Sequence, residues 1–162
     1  MYITYSDYTR FYGSDRLQEG DFERIALLAC RVLDVYTTGI DNYRKLKEAF
    51  PTDESDATMV KVCACRLADL FYSIEQFNES INAAREMVET ENGVHPKMIA
   101  STSAGNESIS YATDTGSSLA QQAASNLEAQ QGVITNVVRT FLSGITDANG
   151  VNLLYMGRYP NV

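Results

Sequence analysis

Tryptophan is missing from this 162-residue chain, histidine occurs once, proline three times and cysteine three times. An odd number of thiols at Cys30, Cys63 and Cys65, each inside an apolar helical pattern, argues against a disulfide framework. It points to reduced thiols used as small core residues in a cytosolic setting. Cations are few: 13 Lys and Arg face 21 Asp and Glu, a net charge of −8. That balance opposes nonspecific nucleic-acid binding by the surface as a whole, and no local basic patch stands out. No window is long and apolar enough to cross a membrane. Met1 is followed by YITYSDYTR instead of a basic segment and an apolar run, so no signal peptide is expected.

Catalytic signatures are missing too. There is no nucleophile elbow, P-loop, Gly-rich dinucleotide loop or HExxH motif. Cys63-x-Cys65 is the one spacing that suggests a metal site, with His95 as a remote third ligand. On a helix, residues i and i+2 point about 200° apart, so the two thiols are poorly placed to share an ion. Buried structural thiols are the simpler reading, and His95, before Pro96 in a turn, reads as solvated. The acid pairs Asp53–Glu54 and Glu89–Glu91 lie in hydrophilic connectors. No catalytic, cofactor or metal residue is assigned, and an enzyme is not expected; a small thiol or metal enzyme built on Cys63, Cys65 and His95 is the weakest rival.

What is present is helical periodicity. Thr4 with Asp7 three positions on, then Tyr8, Phe11, Tyr12 and Gly13, predicts a short capped helix with Tyr5, Tyr8 and Tyr12 on one face. A second helix is predicted over 19–36, with Phe22, Ile25, Ala26, Ala29, Val32, Leu33 and Tyr36 inward. Thr37, Thr38 and Gly39 end it. The connector 40–56 holds a short helix over 43–50 broken by Pro51. The longest stripe, Val60, Cys63, Leu67, Leu70, Ile74, Phe77, Ile81, Ala84 and Val88, predicts a helix over 57–90 that packs against more than one element. A last helix is predicted over 117–142, with Ala120, Ala123, Leu127, Ile134, Val137, Val138 and Phe141 inward and a weak middle at Gln130, Gln131 and Gly132. Between these two, residues 93–116 turn to Ser, Thr, Ala and Gly, with SISYA at 108–112 alternating polar and apolar. This segment reads as a β-hairpin or an excursion in extended conformation, and an isolated hairpin needs support from the bundle or from another subunit. The fold class is therefore all-α. A bundle of three main helices with a short N-terminal helix fills residues 1–143, including the loop at 93–116.

Residues 144–162 (GITDANGVNLLYMGRYPNV) are set apart. They follow a helix stop, yet they carry Val151, Leu153, Leu154, Tyr155, Met156, Arg158 and Tyr159. A tail that dangles in water is normally polar; this one is expected to lie extended on an apolar surface, its own or a neighbour's. Ten tyrosines without a tryptophan also suit surfaces that become interfaces, since tyrosine joins a large ring to a polar tip.

In order along the chain, YITYSDYTRFYG, VLDVYTTG, VKVCACRLADLFY, the serine-rich turn with SISY, RTFLSG and LLYMGRYP resemble the head–tail connector (adaptor, or head-completion) proteins of long-tailed bacteriophages and related prophages. The resemblance implies a ring of copies beneath the portal at the capsid vertex, bridging portal to tail and lining the channel that double-stranded DNA passes without sequence-specific binding. It implies as partners the portal protein, neighbouring copies and a tail-side connector or tail terminator. It further implies that no membrane is involved, and that the protein is made in the host bacterial cytoplasm and resides in the virion. On this chain it makes 144–162 the portal-docking arm, through Val151, Leu153, Leu154, Tyr155, Met156, Arg158 and Tyr159. Met98, Ile99, Ile109 and Tyr111 become the lateral or tail-side contacts. The alternative is a cytosolic helical interaction or regulatory protein whose C-terminus folds back as a clasp.

Overall fold

The computed structural model describes residues 1–13, 16–86, 101–104, 107–110, 123–124 and 126–160. It is mainly helical. Among the described residues the helices are α1 (Tyr5–Tyr12), α2 (Glu19–Thr37), α3 (Lys45–Glu48), α4 (Glu54–Glu86) and α5 (Leu127–Leu142). The central rod is α4, which packs against α2, α5 and α1, while α3 lies against α2. At ~1.5 Å per residue its 33 residues span roughly 50 Å. Its start lies ahead of the expected position because the Asp53 carboxylate accepts from the Asp56 amide at 3.0 Å and the Asp53 carbonyl from Ala57 at 2.9 Å. An acidic cap just after Pro51 thus draws the first turn back to Glu54. Residues 87–90 of the expected helix lie outside the described residues.

The core is one cluster. Phe22, Ile25, Ala29 and Leu33 of α2 meet Leu67, Leu70 and Ile74 of α4 and Ile134 and Val138 of α5. Several residues expected inward are placed differently: Val32, Tyr36 and Phe141 are half-buried at its margin, and Phe77 is half-buried further along α4. Burying a large aliphatic side chain is worth roughly 1.5–3 kcal/mol, so the α2–α4–α5 cluster carries the fold.

The last helix departs most from its pattern. Asn126 has extended backbone and its side-chain oxygen accepts from the Ala129 amide at 2.7 Å. That cap begins α5 at Leu127, and Leu127, expected inward, is exposed because it occupies the first turn. Residues 123–124 are helical ahead of the cap, with Ala123 buried, and Ala120 lies outside the described residues. The helix runs through Gln130, Gln131 and Gly132 without interruption. Ser101–Ala104 pairs antiparallel with Glu107–Ser110, Thr102 opposite Ile109. Met98, Ile99 and Tyr111 lie outside the described residues.

Two segments are docked onto this frame. At the N-terminus Thr4 and Asp7 form the reciprocal cap of α1. Tyr8 is buried, stacked between Tyr5 and Tyr12 and tilted against Phe22. Its hydroxyl donates to buried Asp69 of α4 at 3.2 Å, and Arg16 and Arg66 bond the same carboxylate. The second docked segment is the C-terminus.

Candidate interaction surface at the C-terminal end

Lys45 organises this end of the molecule. Helix α2 ends at Thr37, and the chain reverses through Gly39 and Asn42, whose φ of 62° is left-handed. Asparagine tolerates that conformation better than other side-chain-bearing residues. The reversal starts α3 so that its first side chain, Lys45, points inward and is fully buried. Its Nζ donates to the carbonyls of Thr37 and Leu153 at 3.1 Å each, and to that of Tyr155. Three donors meet three acceptors, so the ammonium is satisfied without a carboxylate. Burial pushes its pKa down, and the charges of Asp147 and Asp41 pull it partly back.

Two of those carbonyls belong to the C-terminal segment, which is not an extended arm. Residues 145–160 fold on themselves and then against the bundle. The Leu153 amide donates to the Ile145 carbonyl and the Asp147 amide to that of Val151, both at 2.9 Å. Asp147 accepts from the Asn149 and Val151 amides through one oxygen and from the Tyr159 hydroxyl, at 2.7 Å, through the other. Burial and this carboxylate push the Tyr159 phenol up to about 12. Toward the bundle, Tyr159 donates its amide to Asp41 at 2.8 Å and stacks on Tyr43 with ring centroids 3.9 Å apart. The Ile40 amide donates to Met156, Ala148 to Ala49, and Thr146 to Asp56.

The expected docking residues therefore divide. Leu153 is fully buried in the core and Tyr159 is 5% exposed, so neither is available to a partner in this conformation. Val151 and Leu154 are half-buried. Tyr155 and Met156 face solvent at 47% and 56%, and Arg158 is exposed. The extended reading fails for a specific reason: Asp147, Asn149, Gly150 and Asn152 supply turn chemistry that brings Leu153 back over Ile145, and Lys45 fixes it there.

Beside the exposed pair lies Ile40, 79% exposed. Along α2, Leu27, Leu28 and Val35 share an outward face with Arg31, and all three apolar side chains are open to water. A shallow cleft of about 400 Å³, lined by Arg31, Asp34, Val35, Thr38, Asn42 and Arg44, lies at the end of this face. A neighbouring cleft of about 520 Å³ is bordered by Asp41, Arg44, Lys47, Glu48 and Arg158. Both clefts have mixed charge, with Arg31 and Arg44 against Asp34 in the first and Arg44, Lys47 and Arg158 against Asp41 and Glu48 in the second.

The thiols lie elsewhere. Cys30, Cys63 and Cys65 are free and buried, and burial pushes Cys63 and Cys65 up to about 12. At that pKa a thiol is scarcely ionised near neutrality and makes a poor nucleophile or ligand. His95 lies outside the described residues. No group of three metal-ligating side chains occurs among the described residues, and no helix among them is long and apolar enough to cross a membrane.

Sequence reasoning missed Lys45, the residue on which the surface depends, and no local signal marks it. A lysine in a polar connector is nearly always solvated. No protein-family model, curated protein or solved structure matches this chain.

Proposed function

We propose that this chain is a structural subunit of a phage head–tail connector, assembled as a ring of copies between portal and tail, with DNA passing through without sequence-specific contact. The observation that carries the reading is the apolar surface left open on one side of the bundle. Leu27, Leu28 and Val35 on α2, with Ile40, Tyr155 and Met156 at its end, are exposed large apolar residues, more than an isolated subunit needs to display. The order of motifs from YITYSDYTRFYG to LLYMGRYP and the helical bundle are consistent with it. In this reading Tyr155 and Met156, with Arg158 beside them, make first contact with the portal protein. Neighbouring copies cover the α2 face, and the segment around Ile109 serves the lateral or tail-side contact.

The test is co-assembly with a purified portal ring, imaged by electron microscopy. The expected result is an added annulus on the portal's tail-facing end. A portal that stays bare at high subunit concentration sinks the reading.

The second reading is a helical interaction or regulatory protein in the cytoplasm, with the C-terminus as a fold-back clasp. The closure of Leu153 and Tyr159 against the bundle favours it. It predicts a bare portal and capture of a different partner through the same exposed residues.

A further inference from the structure

We infer that residues 145–160 form a latch that opens as a unit about Gly144, with Lys45 as its lock, so that the bundle has a second form presenting Leu153 and Tyr159 to a partner.

The latch carries its own framework. Its turns are closed by bonds between Ile145 and Leu153, Asp147 and Val151, and Asp147 and Tyr159, all of which survive if the segment moves as one piece. The joint is Gly144, with φ of 85° and no atom within 4 Å of the position a Cβ would take. Left-handed glycine in open space is where a chain turns at least steric cost.

Its apolar attachment is small. Leu153 is the one latch side chain wholly inside the core, with Ile145 and Leu154 half-buried against it. The remaining hold is the Tyr159–Tyr43 stack and polar bonds to Asp41, Ala49, Asp56 and the Ile40 amide. Lys45 dominates because it ties the last carbonyl of α2 to two latch carbonyls at once.

The choice of a cation makes the lock reversible. An ammonium loses hydration when buried, and that loss offsets much of what its three bonds contribute. Opening returns Lys45 to water instead of stranding a charge. An apolar plug in the same place would resist opening by its full transfer energy. Tyr155, Met156 and Ile40, exposed while the latch is closed, give a partner a first foothold.

The purpose of the open form rests on the connector reading; the existence of the latch does not. Native-state hydrogen exchange on the full chain tests it without any partner. In the wild type, the Ile40, Ala148 and Tyr159 amides, which bond between bundle and latch, should share one protection factor once intrinsic rates are divided out. That factor should be at least tenfold smaller than those of Leu67 and Leu70 in α4. Lys45→Met leaves three carbonyls without their donor in the closed form only, and should speed the Ile40, Ala148 and Tyr159 amides a further tenfold or more with Leu67 and Leu70 little changed.

Gly39→Ala is an independent wedge, because its added Cβ would meet the Gly157 carbonyl oxygen at 2.8 Å. It should act in the same direction. Latch amides exchanging in step with Leu67 and Leu70 in the wild type would overturn the inference, as would no response to either substitution. If Lys45→Met does not fold, the wild-type pattern and Gly39→Ala decide. A bare portal together with separate latch exchange would remove the connector role and leave the latch standing.

Discussion

The two ends of the chain are fastened to the same three-helix core by different means. The N-terminal helix is held by side chains: Tyr8 is fully buried among Tyr5, Tyr12 and Phe22, and its hydroxyl meets a carboxylate already paired with two arginines. The C-terminal segment is held by one fully buried side chain, Leu153, and by its backbone, whose carbonyls converge on Lys45. An aromatic plug resists removal by its whole buried area. A buried ammonium stabilises only by the difference between its bonds and its lost hydration. The first arrangement suits a permanent attachment, and the second suits one that must yield.

The sharpest way to break this comparison is to truncate each plug. Tyr8→Ala should destabilise global unfolding by about 3–5 kcal/mol, measured by urea titration of the helical circular dichroism. Leu153→Ala should cost about 2–4 kcal/mol, but most of it should appear as faster exchange of latch amides and not as loss of helix. Equal global losses would mean that both ends belong to a single cooperative unit.

A smaller effect comes from the N-terminal cap, where Thr4→Ala should cost about 1 kcal/mol in the same titration and leave the C-terminal segment untouched. At the other end, replacing both Tyr155 and Met156 by Ala should change stability by no more than about 0.5 kcal/mol. The same pair of changes should abolish the portal annulus in micrographs. Unimpaired assembly would move the contact to the α2 face.

The finest probe is optical. Burial and Asp147 hold the Tyr159 phenol up to about 12, above its ordinary value. A group whose folded pKa is raised lends its stability fully below the unfolded value and loses it as pH rises through the folded one. Asp147→Asn should therefore bring this ionisation down toward ~10, seen as tyrosinate absorbance. An unchanged titration would show that burial alone sets it.

How much of this was legible in the sequence depends on the kind of force. The α1 cap and the stripe of α4 were written in residue spacing, because capping and apolar burial are local or periodic. Asn126 does not stand out as a start signal because alanines and glutamines on both sides continue a plausible helical stripe across it. The C-terminal segment reads as extended in the sequence because its apolar residues are visible there and its fastening is not. Lys45 sits 108 residues from Leu153, and only the fold makes them neighbours. What remained readable was that residues 151–159 need cover; that the chain itself covers Leu153 and Tyr159 and leaves Tyr155 and Met156 open was not.

The contact between the Tyr43 and Tyr159 rings has a practical corollary. With no indole in the chain, intrinsic emission comes from phenols alone, and this pair lies 3.9 Å apart at the boundary between bundle and C-terminus. Parting the two rings alters the surroundings of both fluorophores. A stopped-flow trace of the unlabelled protein, mixed with whatever it binds, would then carry a clock for the motion without any introduced dye.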